Sequence, residues 1–340
     1  LPNKLLAILA LASAVWAGPV EFGRAELDRA MAERRLSQQR LPIKTEVAVD
    51  PAESYRIAPG LVTGGDLRGL MYGLLEAADQ IRRTGRLQRT EAAPGMAVRG
   101  ARVVLGDFGG DLEWFRNREQ WPVWFRLLAL NRFNRFLLAV PDLGGLVSLP
   151  EFPEAAAHSG YEQNLETLRF ISETAAEYGI DFTLGVWMPH AVDGAYLHAA
   201  LGKVLAACPA IRGVQLRMSA ELATEAIRAI QETGRRATIE APADAQAIAA
   251  AAAGAGLPVR LAAAYPGDAR PGKGIELFWE LGAQDVPAAA HLDHFVNKLA
   301  DAGGSGFEID LAPGEIAKGP EAAARFLPLG RLAYDAKEPR

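Results

Sequence analysis

The sequence predicts an α/β fold: a (β/α)8 TIM-type barrel preceded by a small α/β sandwich domain. Three observations predict it. From Ala101 onward, short apolar or β-branched runs alternate with amphipathic helical stretches, and the runs count to eight. Before Arg99-Gly100 the pattern differs, with very short strands around one long helix. Half of the 340 residues are hydrophobic, enough for a sizeable core.

The elements follow in order. Lys4 precedes the apolar run LLAILALASAVWA, and small residues offer cleavage after Ala14 or Ala17. This is the layout of a secretory signal peptide over residues 1–17, the run being short for a membrane span; an N-terminal membrane anchor or a buried helix is the alternative. The mature chain is therefore expected to be periplasmic or extracellular, with no membrane partner once the leader is removed. Gly23 to Arg40 reads as an amphipathic helix with Leu27, Met31 and Leu36 on one side. Strands follow at Lys44 to Val49, Ser54 to Ile57 and Leu61 to Thr63. Gly64-Gly65 turns the chain, and Asp66 caps a helix whose face is Leu67, Leu70, Met71, Leu74, Leu75, Ala78 and Ile81. The small domain is placed at 20–94, with Leu87 to Pro94 as a polar linker, and the barrel at 98–332. Barrel strands are expected at Ala101–Leu105, Arg135–Val140, Asp181–Trp187, Gly213–Met218, Ala237–Ala241, Val259–Ala264, Ile275–Leu281 and Gly306–Leu311. Between them lie helices at Glu119–Leu130, Tyr161–Tyr178, Gly194–Ala206, Ser219–Thr233, Ala243–Ala253 and Ala288–Ala302. The sixth unit is irregular, because Tyr265 to Gly274 is too short for a regular crossover helix.

Composition narrows the function. A net charge of −5 and the lack of a long basic block argue against a nucleic-acid partner. Cys208 is the single cysteine, which excludes an intrachain disulfide and a cysteine-ligated zinc cluster. His291 and His294 have metal-ligand spacing, but their helix faces outward from the barrel. GDFGGD and GGSG do not open a helix after a strand as phosphate loops do. No metal and no cofactor are expected, and the sequence is silent on oligomeric state.

A parallel barrel gathers its strand tips on one face, where active sites are built. The acids at those tips are Asp107, Glu221, Glu240, Glu280 and Asp310, with Glu308 one layer beneath Asp310. Glu221 follows the strand GVQLRM and the cap Ser219. There it either complements a helix dipole or acts as an acid. Glycoside hydrolysis uses two carboxyl groups across the scissile bond, one donating a proton, the other activating water or attacking the sugar. The expected catalytic set is Glu221 as acid, with Asp310 or Glu280 as second carboxylate. Trp187 and Trp114 are sugar-platform candidates, His190 and Asp107 polar contacts, and Arg217 a partner for a sugar carboxylate. For each, a core or salt-bridge role is the alternative.

Two stretches resemble a known family. ESYRIAPGLVTGGDLRGLMYGLLEAADQIRR, Glu53 to Arg83, looks like the small domain that precedes the barrel in alpha-glucuronidases and related hexosaminidase-type glycoside hydrolases. Arg99-Gly100, FRLLALNRFNRFLL, ACPAIRGVQLRMSAE, LFWEL and GFEIDLAP resemble the alpha-glucuronidase barrel, so the likeness spans about Lys44 to Ala312. It implies a polysaccharide-degrading enzyme, of the kind active on xylan, with Glu221 at the general-acid position after the fourth barrel strand. Two departures stand out. Ser219-Ala220 replaces the family's histidine-glycine pair, and the helical domain that follows the barrel in full-length relatives has no counterpart here. The reading is therefore an exported glycoside hydrolase whose partner is a carbohydrate. The alternative is a barrel of the same descent that binds carbohydrate without cleaving it. A metal-dependent barrel hydrolase would need histidines at strand ends, where only His190 qualifies.

Overall fold

The structure, a computed structural model, describes residues 18–336 apart from 38, 40, 49, 107, 109, 111, 154, 156, 157, 189–191, 266–274 and 320–323. The expected leader, Asp107 and His190 lie outside the described residues. Four short strands, β1 (Lys44–Val47), β2 (Tyr55–Ala58), β3 (Leu61–Gly64) and β4 (Thr90–Ala92), form a sheet in the order β1-β3-β2-β4. β1 runs parallel to β3, and the other pairings are antiparallel. β4 lies in the stretch expected to be a linker. Three residues among polar neighbours carry no readable period, so only their pairing with β2 reveals them.

The helix Leu67–Thr84 packs on this sheet. It starts where the Asp66 side chain accepts the Gly69 N–H at 2.6 Å, and it stops at Gly85, left-handed at φ 73°. Against it lies the helix Pro19–Glu33. That helix ends earlier than its amphipathic pattern suggests, because Arg35 turns left-handed at φ 55°.

Eight parallel strands then close a barrel: β5 (Val98–Val104), β6 (Arg135–Val140), β7 (Asp181–Trp187), β8 (Ile211–Arg217), β9 (Thr238–Pro242), β10 (Val259–Ala264), β11 (Glu276–Leu281) and β12 (Gly306–Leu311). Strand parity divides two chemistries. Phe136 and Leu138, Phe182, Leu184 and Val186, and Val214 and Leu216 belong to one large buried core. The alternate residues face the axis, and several of them are charged. Arg135 on β6 reaches Glu240 on β9, and Arg217 on β8 reaches Glu280 on β11. Those strands are three apart in the barrel order, so the contacts cross its interior. Beneath the charged layers, Val98, Ala262 and Phe278 form a small apolar plug. Gly100 makes room for Arg135: a Cβ there would sit 3.2 Å from Arg135 Nη1.

The small sheet docks on the opposite end of the barrel, through Glu53. Its Oε1 accepts from Arg68 Nη1 at 2.8 Å and Asn134 Nδ2 at 2.9 Å, and its Oε2 from Arg99. Tyr334 donates to the Glu53 carbonyl at 2.6 Å. Arg99 lies in the first half of β5, and Arg68 also reaches Asp181, which opens β7. Burial would raise the Glu53 carboxyl, but Arg99 and Arg68 outweigh it and hold it down at about 2. The helix Leu327–Asp335, which supplies Tyr334, was not legible as an element. Among the described residues, no helix is long and apolar enough to cross a membrane.

Candidate active site

The axis-facing residues form two polar tiers. In the lower one, Arg135 sits between two fully buried acids, with Nε 2.7 Å from Glu240 Oε1 and Nη1 against Glu308. Its guanidinium also lies 4.9 Å above the Phe278 ring. Three charges removed from water are tolerated only because each faces an opposite one. Glu240 therefore belongs to the barrel core, not to the rim where its position near a strand end suggested it. Glu308 lies one layer below Asp310, as strand parity predicts.

The upper tier is built around Arg102. Its Nη1 lies 2.8 Å from Glu280 Oε1 and 3.4 Å from Glu308 Oε1, and its Nε lies 3.3 Å from Asp310 Oδ1. Arg217 donates to the same Glu280 oxygen. The two guanidinia lie 5.6 and 4.2 Å from the centre of the Trp187 ring. The indole N–H of Trp187 donates to Gln215 Oε1 at 2.8 Å, which fixes that amide. Gln215 Nε2 is then a buried donor without a partner among the described residues. Residues of β5, β7, β8, β11 and β12 thus meet at the carboxyl end of the barrel, because the same inward parity falls on each strand tip.

Beside this tier is a cavity of about 510 Å³, lined by Arg217, Glu280, Ala264 and the turn Pro242–Asp244 among others. A larger cavity of about 760 Å³ lies elsewhere, among the helices Pro19–Glu33, Leu67–Thr84 and Leu327–Asp335. Its charges satisfy one another. Arg82 pairs with Glu26, Glu33 and Asp79, and Arg126 pairs with Glu26 at 2.8 Å. The strand-tip cavity is the better site, since an acid and a base donor converge on it.

The structure brings Glu280, Asp310, Trp187 and Arg217 together and leaves two expected residues out. Glu221 is fully exposed in the first turn of the helix Ala220–Glu232. Hydrogen bonds from its own backbone N–H and from Ser219 hold its carboxyl below the usual range, the reverse of what a proton donor needs. The dipole-complementing alternative fits it instead. Trp114 is almost wholly buried against Phe115 and Trp121, with ring centres 6.1 and 6.2 Å away, so it is core and not a sugar platform. Sequence reasoning missed Arg102 and Asp244. An arginine amid the valines of VRGARVV, at the parity of Gly100, was the available signal for Arg102. Asp244 gave none, because it lies in a turn beyond the strand period.

No family model matches the chain, and no curated protein matches it. Among solved structures it is similar to a GH138 enzyme targeting pectin rhamnogalacturonan II, with TM-score 0.76 and 16% identity, over 95% of this chain and 63% of that one. It is also similar to CpGH89 from Clostridium perfringens in complex with its substrate GlcNAc-alpha-1,4-galactose, with TM-score 0.54 and 11% identity, over 95% of this chain and 49% of that one. The chain therefore spans less than two thirds of either protein. At these identities the likeness shows the shared barrel fold.

Proposed function

We propose that the protein is an exported glycoside hydrolase cleaving a bond to a uronic acid in a polysaccharide or oligosaccharide, as the alpha-glucuronidases it resembles do. The observation that carries this reading is the meeting of Glu280, Arg102 and Arg217 beside a 510 Å³ cavity at the carboxyl end of a closed barrel. Glu280 is the reacting carboxylate, and Asp310, which does not line the cavity, is paired with the same Arg102. Arg217 lines the cavity and remains about one-third exposed, so a sugar carboxylate can engage its guanidinium from the open side. Trp187 orients both arginines. Both structural neighbours are named for carbohydrate targets, pectin rhamnogalacturonan II and GlcNAc-alpha-1,4-galactose, which supports a sugar ligand. Export rests on the leader pattern of residues 1–17.

The test is turnover of aryl-uronides and glucuronoxylan fragments by the purified chain, compared with Glu280→Gln. Loss of turnover by about 10³-fold with ligand binding retained supports the enzyme. A second reading, a barrel that binds sugars without cutting them, is favoured by the exposed position of Glu221. Saturable binding with no turnover in the parent chain selects that reading, and absence of both removes the two together.

A further inference from the structure

We infer that Asp244, which lines the strand-tip cavity together with Glu280, is the proton donor to the leaving group. This rests on the glycosidase reading above. Glu221, the residue the family pattern points to, is turned to bulk solvent, so the proton must come from elsewhere. Asp244 and Glu280 are the two carboxylates lining the cavity, and their surroundings differ. Glu280 is clamped by Arg102 and Arg217 on one oxygen. Asp244 has no cation within ion-pair distance among the described residues and opens onto the same space.

The turn holds Asp244 in place without using its side chain. Ala243 N–H donates to Ala262 O at 2.8 Å, tying the turn to β10, and Ala245 N–H donates to Pro242 O at 2.9 Å. Pro242 fixes the backbone just before it. The residue thus projects from a pinned two-bond turn, and its carboxyl is free to meet a glycosidic oxygen. Two acids lining one cavity, one clamped by arginines and one not, can divide the labour that glycoside cleavage requires.

In the step, the Asp244 carboxyl gives its proton to the glycosidic oxygen as the anomeric C–O bond breaks and the bonding pair moves to that oxygen. The leaving alcohol departs neutral. Glu280 either attacks the anomeric carbon, to be displaced later by water, or takes a proton from the water that attacks. In both cases the hydroxyl of water ends on the anomeric carbon, and solvent exchange resets the two carboxyl groups.

The experiment compares the parent chain, Asp244→Asn and Asp244→Glu on two uronides, one with a nitrophenol leaving group and one with a sugar alcohol. A nitrophenolate needs no proton to depart, and an alkoxide does. Asp244→Asn is expected to lose about 100-fold or more on the sugar-alcohol substrate and less than about tenfold on the nitrophenyl substrate. Asp244→Glu is expected to regain part of the first loss. Equal losses on both substrates, or no loss on either, overturn the assignment of Asp244 while leaving the glycosidase reading intact. A parent chain that cleaves neither substrate overturns that reading and this one with it. Circular dichroism of each variant separates misfolding from chemistry. An Asp244→Asn chain that is unfolded defeats the claim that its side chain is structurally idle.

Discussion

Replacing Glu53 by Gln keeps the shape of the side chain that joins the small sheet to the barrel and removes its charge. Arg99 is fully buried beside it and would then face a neutral amide. The carboxyl is held at about 2 in the fold against 4.5 for the free group. That difference corresponds to about 3 kcal/mol of stability at neutral pH. Breaking one side of a buried ion pair costs about 3–5 kcal/mol by analogy with measured cases, which agrees. The sign with pH follows from the depressed value. The contribution is whole above about pH 4.5 and fades as the pH falls towards 2, since the proton then binds both states. Urea denaturation of parent and Glu53→Gln should therefore differ by about 3 kcal/mol at pH 7 and by about half of that or less at pH 3. A difference below about 1 kcal/mol at pH 7, or one that does not shrink with acid, would refute the argument that this ion pair staples the two parts.

Further predictions follow from burial and position. Arg135→Leu leaves Glu240 buried without its cation and Glu308 with Arg102 alone, at 3.4 Å, and should cost about 3–5 kcal/mol in denaturant, while Arg135→Leu with Glu240→Gln and Glu308→Gln should recover most of it. The Cys208 thiol is pushed up to about 12 by burial and by the nearby Glu173, so a thiol reagent at pH 8 should label the native chain far more slowly than the urea-unfolded one. Labelling at equal rates would contradict the packing. Glu221→Gln should leave turnover within about twofold and the urea midpoint almost unchanged, because its interaction with the helix dipole is made at the surface. A collapse of activity in that variant would return the acid to the position the family pattern indicated.

The barrel was legible because its strands carry period two and its helices period 3.6 over many residues. Seven of the eight strands begin and end within about two residues of the positions that pattern implies, inside the usual boundary error. β5 starts three residues early, at Val98. Its Arg99 and Gly100 were read as a lead-in, yet they pair with Phe307 and Glu308 of β12. Short elements were less visible: β4 and the helix Leu327–Asp335 owe their form to partners far along the chain, Tyr55 to Ile57 and Gly95-Met96. In the site, Glu280, Asp310, Trp187 and Arg217 were readable because each sits inside a strand, where parity alone chooses the axis or the outer core. Which of them touch depended on barrel order, which the sequence does not state.

Glu221 shows where that reasoning stops. Up to Arg217 the direction of every side chain follows strand parity, so Gln215 and Arg217 point to the axis. Past the Ser219 cap the direction follows helix phase. The buried face of that helix is set by Ala223, Ala226, Ile227 and Ile230. Glu221 falls off that stripe, and its side chain turns to solvent although its backbone stands at the correct end of the barrel. Closeness to a strand end therefore does not by itself place an acid in a barrel mouth. The residue must belong to the strand at inward parity, as Glu280 and Asp310 do, or hang from a turn that another strand pins in place. Asp244 meets the second condition through the bond from Ala243 to Ala262. Under the proposal for Asp244, the proton-donating role passes from the loop after β8 to the loop after β9 while the clamped carboxylate on β11 stays where it is.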